Sequence, residues 1–398
     1  MKVLLIHNRY RHEGGEERVI DHLENLLKKH GHEVRRFERS SQDWQNHSPW
    51  QLLCDALQVP YSRTIARELN HVIDQWLPDV AHVHNVFPVL SPAVYVVLRR
   101  RGIPVAQTVH NYRFMCVNGL FLTPKGKICE RCKGGFFAAA IALGCYGGQR
   151  LRTIPMAIAL TWPRLFKTLE KTVDVFIAPS QFLKQKLVEV GFPSDRIEVI
   201  PNPSVSVNQS AARSAAPRFV YAGRLSREKG LWTLLRAFDA PDLGQLRILG
   251  DGPLRESLQN DISSRHLTHI KLAGAVPHAQ VLQELSQAWA LIMPSECYEN
   301  QPQAILEAWA CGTPVIGSRL GGMLEMIQEG KTGWTFKSGD IQGLRDAIRQ
   351  RIRHDVSEAQ ISSDCQFAVR SYYNPDSITD RIVSIYERII DHRRTQSA

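Results

Sequence analysis

Long hydrophobic runs are what this sequence most clearly lacks. No stretch approaches the roughly 20 apolar residues that a membrane-crossing helix needs, and even FFAAAIALGCY, from Phe136, ends at polar, glycine-rich sequence. The first apolar run, Val3 to Ile6, holds only four residues. That is too few for a signal-peptide core, so a cytosolic chain is expected. Acidic residues are also scarce: 39 Asp and Glu against 49 Lys and Arg leave a formal charge of +10. This bias favours anionic partners such as phosphates, acidic lipids or nucleic acid. Nucleic acid is not expected, because the basic residues are scattered and no platform of interleaved aromatic and basic residues accompanies them. The tripeptide Asp-x-Asp, the commonest short signature of a metal-bridged diphosphate, is absent as well.

What the chain does have is length, 398 residues with 43% apolar, more than one hydrophobic core usually organises. Short β-branched runs alternate with amphipathic helical patterns, which predicts an α/β protein with parallel sheets. In the first half the runs are KVLLIH, HEVRRF from His32, VAHVH from Val80, PVAQTVH from Pro104, VFIAPS from Val175 and IEVIPN from Ile197. The polar, small-residue stretch from Ser204 to Arg218 reads as a linker. A second series follows it: FVYAGRL, QLRILGDG, IKLAGAV, WALIMPS and TPVIGS. Two doubly wound domains are therefore expected, 1–203 and 204–375, with a terminal amphipathic helix, 376–398, carrying Ile378, Ile382, Ile385 and Ile389 on one face.

In open parallel sheets ligands bind beyond the carboxyl ends of the strands, so residues just after the strands are the candidates. Gly14 and Gly15, between the first strand and its helix, would let backbone N–H groups approach a phosphate, or serve only a tight turn. In AGRLSREKG, Gly223 ends a strand while Arg224 and Lys229 bracket the loop. Two fixed cations there can stabilise a departing diphosphate without a metal; the alternative is a solvated basic loop. In PSECYENQPQAILEAWACGTPVIGS, Glu299 precedes a helix that carries Glu307 about two turns in. One carboxylate suits ribose hydroxyls and the other a sugar; helix capping and a solvated face are the alternatives. His110, directly after a strand in TVHNYRF, could orient or deprotonate an acceptor hydroxyl, or be structural, as His82 and His84 look to be.

Four of the eight cysteines, Cys116, Cys129, Cys132 and Cys145, form C-x12-C-x2-C-x12-C in a glycine-rich insert at 116–145. The central spacing is common in zinc sites, so structural zinc is expected there, with unmetallated buried thiols or an oxidisable pair as alternatives. Between Arg150 and Lys171, five cations accompany Ile154, Met156, Ile158, Leu160, Trp162, Leu165 and Phe166, with Glu170 the only acidic residue. That segment is expected to rest on anionic lipid at the cytosolic face, although Pro155 and Pro163 argue against one continuous helix and core packing is the competing account.

Taken together, the early glycine pair, PDVAHVHN, VHN at His110, APSQFLKQKL, VIPNP, AGRLSREKG, LGDGP and the Glu-x7-Glu block resemble family 4 of the GT-B glycosyltransferases, over nearly the whole chain. The resemblance implies two Rossmann-like domains facing a central cleft, the first (1–203) on the acceptor side and the second (204–375) binding a nucleotide sugar, with the final helix crossing back to the first. It further implies retaining transfer from a nucleotide diphosphate sugar to a glycan or lipid-linked acceptor, with no cofactor required for catalysis. On this resemblance Arg224 and Lys229 bind the diphosphate, Glu307 the ribose and Glu299 the donor sugar, while His110 lies on the acceptor side. Asn300 and Gln301 stand where the family usually has glycine and aromatic residues; they count with Gly14, Gly15 and Gly223 in the donor site and leave the sugar open. A sugar-nucleotide epimerase or hydrolase, or a non-catalytic carbohydrate-binding scaffold, are the rival functions.

Overall fold

Short strands buried on both faces and amphipathic helices between them build two parallel sheets. The computed structural model describes residues 1–10, 14–44, 47–205 and 213–397, so the linker reading of 204–218 falls partly, at 206–212, outside the described residues. The chain divides into unit 1, Met1–Pro203 with Asp376–Ala398, and unit 2, Ser204–Pro375.

Unit 1 contains β1 (Lys2–Arg9), β2 (Glu33–Ser40), β3 (Val80–Val83), β4 (Val105–Thr108), β5 (Val175–Ala178) and β6 (Ile197–Val199), in the order β2-β1-β3-β4-β5-β6. Every pair is parallel, with Val3 opposite Val80 and Ala106 opposite Val175. Residues of β3, β4 and β5 are buried throughout, the mark of strands covered on both faces. The helix Gly15–Lys29 turns Val19, Leu23, Leu26 and Leu27 inward, and its acidic first turn and basic last turn match the helix dipole. The terminal helix Pro375–Ser397 belongs to this unit. Its Ile378, Ile382, Ile385 and Ile389 pack with Val3, Leu5, Leu23 and Leu27, each buried isoleucine contributing on the order of 2 kcal/mol.

Unit 2 contains β7 (Arg218–Ala222), β8 (Gln245–Leu249), β9 (Ile270–Gly274), β10 (Ala290–Met293), β11 (Val315–Ser318) and β12 (Gly333–Phe336), ordered β12-β11-β10-β7-β8-β9. The sequence pattern anticipates all of these except β12, an edge strand of four residues, GWTF, too short and too glycine-marked to show alternation. Both orders reverse direction across the sheet, which places the loops after β1, β3 and β4, and after β7 and β10, at the carboxyl-end face of their own unit.

One expectation needs correcting. Arg150–Leu165 is a single helix running through Pro155 and Pro163. Pro155 withholds its hydrogen bond from the carbonyl of Leu151, a residue 81% exposed and therefore open to solvent, and Pro163 falls in the last turn. Among the described residues no helix is long and apolar enough to cross a membrane.

Candidate functional site

In unit 2 the loop after β7 and the loop after β10 are locked together by their backbones, Glu296 N–H donating to Glu228 O at 2.7 Å, and by Thr233 Oγ1 donating to Glu296 Oε1 at 2.7 Å. Gly230 is what permits this approach. It has φ of 67°, and a Cβ there would lie 1.8 Å from the carbonyl oxygen of Pro294. The consequence is that Lys229, from one loop, reaches Glu299, from the other: Lys229 Nζ donates to Glu299 Oε1 at 2.6 Å, and Ser295 Oγ to the same oxygen at 2.8 Å. Burial alone would lower the Lys229 pKa, but the facing charge of Glu299 outweighs it and the ammonium is held firmly protonated. Cys297, 4.0 Å from that carboxylate oxygen, is a buried thiol pushed up by desolvation and by Glu299, and so stays neutral. Glu299 is thus a partner to a cation rather than a helix cap.

Glu307 sits on the second turn of the helix Gln303–Ala310 and is only 5% exposed, so it does not belong to a solvated face. His278, after β9, approaches it with Nε2 at 3.0 Å from Oε1. Sequence reasoning missed His278 and Ser295; a lone histidine and a lone serine carry no spacing signal, and only the loop packing reveals their partners. Asn300 and Gln301 are both buried beside Glu299 in the chain. Gly223 and Arg224 are exposed, with Gly223 N–H bonded to Leu249 O at 3.0 Å and Arg224 O accepting from Tyr221 Oη at 2.8 Å. Arg224 makes no ion pair among the described residues. The structure therefore brings Lys229 and Glu299 into contact and places Glu307 with His278.

In unit 1, His110 follows β4 and stacks on His84 with ring centroids 5.2 Å apart, the His84 Nδ1 and His110 Nε2 atoms sharing a hydrogen bond of 2.9 Å. Burial lowers His110 to about 3, so the imidazole is neutral near pH 7 and is better suited to holding a hydroxyl in place than to removing its proton. His82 is a structural bolt: its ring nitrogens pair with Tyr386 Oη at 2.6 Å and Thr108 Oγ1 at 2.7 Å, tying the terminal helix to β3 and β4. At the glycine pair, Gly14 has an extended backbone, and its N–H is already taken by Glu17 Oε2 at 2.8 Å. The donor that a phosphate would use at Gly14 is occupied by the helix's own carboxylate.

The insert folds its cysteines into one neighbourhood. Cys132 is raised to about 11 by burial and then by the charges of Cys116, Cys145 and Cys129, and Cys145 likewise to about 11 by burial and its neighbours. Among the described residues, however, no three His, Cys, Asp or Glu side chains are arranged to hold a metal ion, and all eight cysteines are free. Cys116 and Cys132 are buried thiols, and Cys129 and Cys145 are half-buried ones.

Comparison with known proteins follows the same two-unit division. Residues 13–203 match the model described as Glycosyltransferase Family 4, and residues 206–364 the model described as Glycosyl transferases group 1. The amylovoran biosynthesis glycosyltransferase AmsK of Erwinia amylovora is 25% identical over 57% of this chain and 58% of its own length. The 2-deoxystreptamine N-acetyl-D-glucosaminyltransferase of Streptomyces fradiae is 25% identical over 80% of this chain and 71% of its own. The alignment with AmsK thus spans little more than half of that relative. Among solved structures, sucrose-phosphate synthase from Thermosynechococcus elongatus has a TM-score of 0.73 at 18% identity, covering 98% of this chain and 99% of that one. Anabaena HepE, solved with UDP and glucose, has a TM-score of 0.69 at 17% identity, covering 98% and 100%. With two six-stranded parallel sheets in their observed orders and matching models over both halves, the chain belongs to family 4 of the GT-B glycosyltransferases.

Proposed function

We propose that this protein transfers a sugar from a nucleotide diphosphate sugar to a glycan or lipid-linked acceptor, with retention of anomeric configuration and without a metal. The observation that carries the reading is the Lys229–Glu299 contact at the carboxyl ends of β7 and β10, with Glu307 and its partner His278 in the same unit. A half-buried cation held in place by a carboxylate is a preorganised diphosphate site: the leaving group's growing charge meets a fixed ammonium, and Arg224, without an ion pair among the described residues, adds a second. Glu307, shielded from bulk water, suits paired ribose hydroxyls. UDP or a UDP-sugar is a bound ligand of Anabaena HepE, which supports a uridine nucleotide as the first donor to try. On this reading the neutral His110 positions the acceptor hydroxyl, and its proton passes to the leaving phosphate oxygen as the new glycosidic bond forms and the sugar–phosphate bond breaks.

The same proposal includes contact with anionic membrane. The helix Arg150–Leu165 buries Met156 and Leu160 yet exposes Leu151, Ile158, Trp162 and Leu165, with exposed Arg150 and Arg152 at its start. Such an apolar face flanked by cations fits a lipid headgroup boundary, which would bring a lipid-linked acceptor to unit 1. Structural zinc at the four cysteines also stays a proposal, supported by their shared neighbourhood and by the spacing, and opposed by their present arrangement.

The test is a panel of nucleotide diphosphate sugars, read by thermal stabilisation and slow hydrolysis in excess chelator. At least one donor is expected to raise the melting temperature and to release its sugar as the retained anomer, seen by NMR. No stabilisation across the panel, hydrolysis only with added Mg²⁺ or Mn²⁺, or an inverted product would each overturn the corresponding part of the reading.

A further inference from the structure

The carboxyl ends of β1 and β3 and the start of the helix Gly15–Lys29 enclose a set of polar atoms that the proposed reaction does not use. His7 is 2% exposed, and both of its ring nitrogens lack a hydrogen-bond partner. Around it lie two more buried atoms in the same condition, Glu16 Oε1 and His84 Nε2. His7 Nδ1 is 3.9 Å from Glu16 Oε1, and His7 Nε2 is 3.9 Å from Glu17 Oε1. The His7 and His84 rings meet edge to face with centroids 6.4 Å apart. Leaving a buried donor or acceptor unpaired costs about 1–3 kcal/mol, so four together mark a place built for an outside polar atom. A gap of 3.9 Å is too long for a direct bond but is spanned by one oxygen about 2.8 Å from each side.

The charges at this place select the kind of oxygen. Burial acts to raise Glu17, but the His7 ring 3.9 Å away and hydrogen bonds from the N–H groups of Tyr10, at 3.0 Å, and Gly14, at 2.8 Å, hold it at about 2, so it is ionised. Burial pushes Glu16 up to about 7, against His7 and with Glu17; Asn111 donates to it at 3.3 Å, and Arg113, lying over the Tyr10 ring, faces it from the loop after β4. His84 and His110 are neutral. An incoming phosphate would meet one fixed and one titrating carboxylate, whereas a hydroxyl can donate to a carboxylate and accept from an imidazole.

We infer that His7, Glu16 and His84 form a hydroxyl-selective subsite of unit 1 that grips a neutral sugar hydroxyl and excludes phosphate, with Glu16 as its specificity-determining residue. The inference rests on the proposed transfer reaction only in taking that hydroxyl to belong to the acceptor. Because a hydroxyl donates to the ionised form of Glu16, binding strengthens as pH rises through the titration of that group.

Saturation-transfer NMR on the full chain tests this with methyl α-glucopyranoside, methyl β-galactopyranoside and glucose 6-phosphate, at about pH 6 and about pH 8. The variants are His7→Phe, Glu16→Leu and Glu16→Gln, each checked for folding by circular dichroism. A neutral glycoside is expected to give signals in wild type, stronger at the higher pH. In His7→Phe and Glu16→Leu these signals should fall about fivefold or more, the cost of about 1 kcal/mol for a lost hydrogen bond. Glu16→Gln, which keeps an acceptor but does not titrate, should retain them and lose their pH dependence. Calorimetric titration of UDP is expected to change by less than about twofold in all three, since the proposed donor residues Lys229, Glu299 and Glu307 all lie in unit 2. Failure of UDP to bind wild type would count against the donor reading alone. Signals unchanged in folded His7→Phe and Glu16→Leu, no neutral glycoside bound by wild type, or glucose 6-phosphate binding more strongly than the neutral glycosides would overturn the subsite.

Discussion

At the scale of single residues, the two glutamates separate by what they touch. Glu307 is buried against His278, whereas Glu299 is the counter-charge of Lys229. Replacing Glu307 by Ala is therefore expected to weaken nucleotide binding about tenfold or more, the loss of hydrogen bonds to a charged acceptor, with a smaller effect on turnover of the bound donor. Glu299→Gln keeps the shape but removes the charge opposite Lys229, and is expected to slow transfer about a hundredfold while changing nucleotide affinity much less. Isothermal titration and steady-state kinetics read the two effects apart, and equal behaviour of both variants would defeat the assignment. The Glu-x7-Glu spacing was visible along the chain; the pairing of Glu299 with a lysine 70 positions away was not, because a contact between two loops depends on which strands lie side by side.

At the scale of elements, the helix Arg150–Leu165 and the cysteine insert carry the sharpest expectations. Arg164 is engaged with Val190 O at 2.7 Å, so the cations available to a lipid surface are Arg150, Arg152, Lys167 and Lys171, all exposed. Converting these four to Gln is expected to abolish flotation with anionic liposomes at low salt, each charge being worth about 1 kcal/mol near the surface. Recovery by neutral and anionic liposomes alike in wild type would remove the segment as an electrostatic anchor. For the insert, elemental analysis is expected to find about one zinc per chain, lost in the Cys129→Ser, Cys132→Ser double variant together with thermal stability. Metal-free, fully stable protein would leave the insert as a cluster of unmetallated thiols. The helix shows where periodicity misleads: its apolar residues divide between a buried and an exposed side, and composition alone does not say which lies where.

At the scale of the whole molecule, the buried histidines set a pH limit. His82 and His110 are both lowered to about 3 by burial, below the ordinary value near 6.5. Their stabilising effect is full above about pH 6.5 and is lost as pH falls, because the unfolded chain takes up protons that the folded chain refuses. Glu16, raised to about 7, works the other way, favouring the fold at low pH and losing that advantage as pH rises from about 4.5 through 7. Two histidines with larger displacements outweigh one carboxyl, so the melting temperature is expected to drop on the order of 5 °C or more between about pH 7 and about pH 5. The drop should be shallower in His110→Gln, as calorimetry can check; a flat profile would mean these histidines are protonated at little cost. The sequence by itself determined the local events: eleven of the twelve strands among the described residues, the amphipathic helices and the order of motifs that identifies the family, because these depend on neighbours within a few residues. Only the tertiary structure decided the short edge strand Gly333–Phe336, the partners His278 and Ser295, and the gathering of His7, His84 and His110 at the carboxyl ends of three adjacent strands. The physical reason is that desolvation and long-range pairing come into being when the sheet order is set, and no stretch of sequence carries them beforehand.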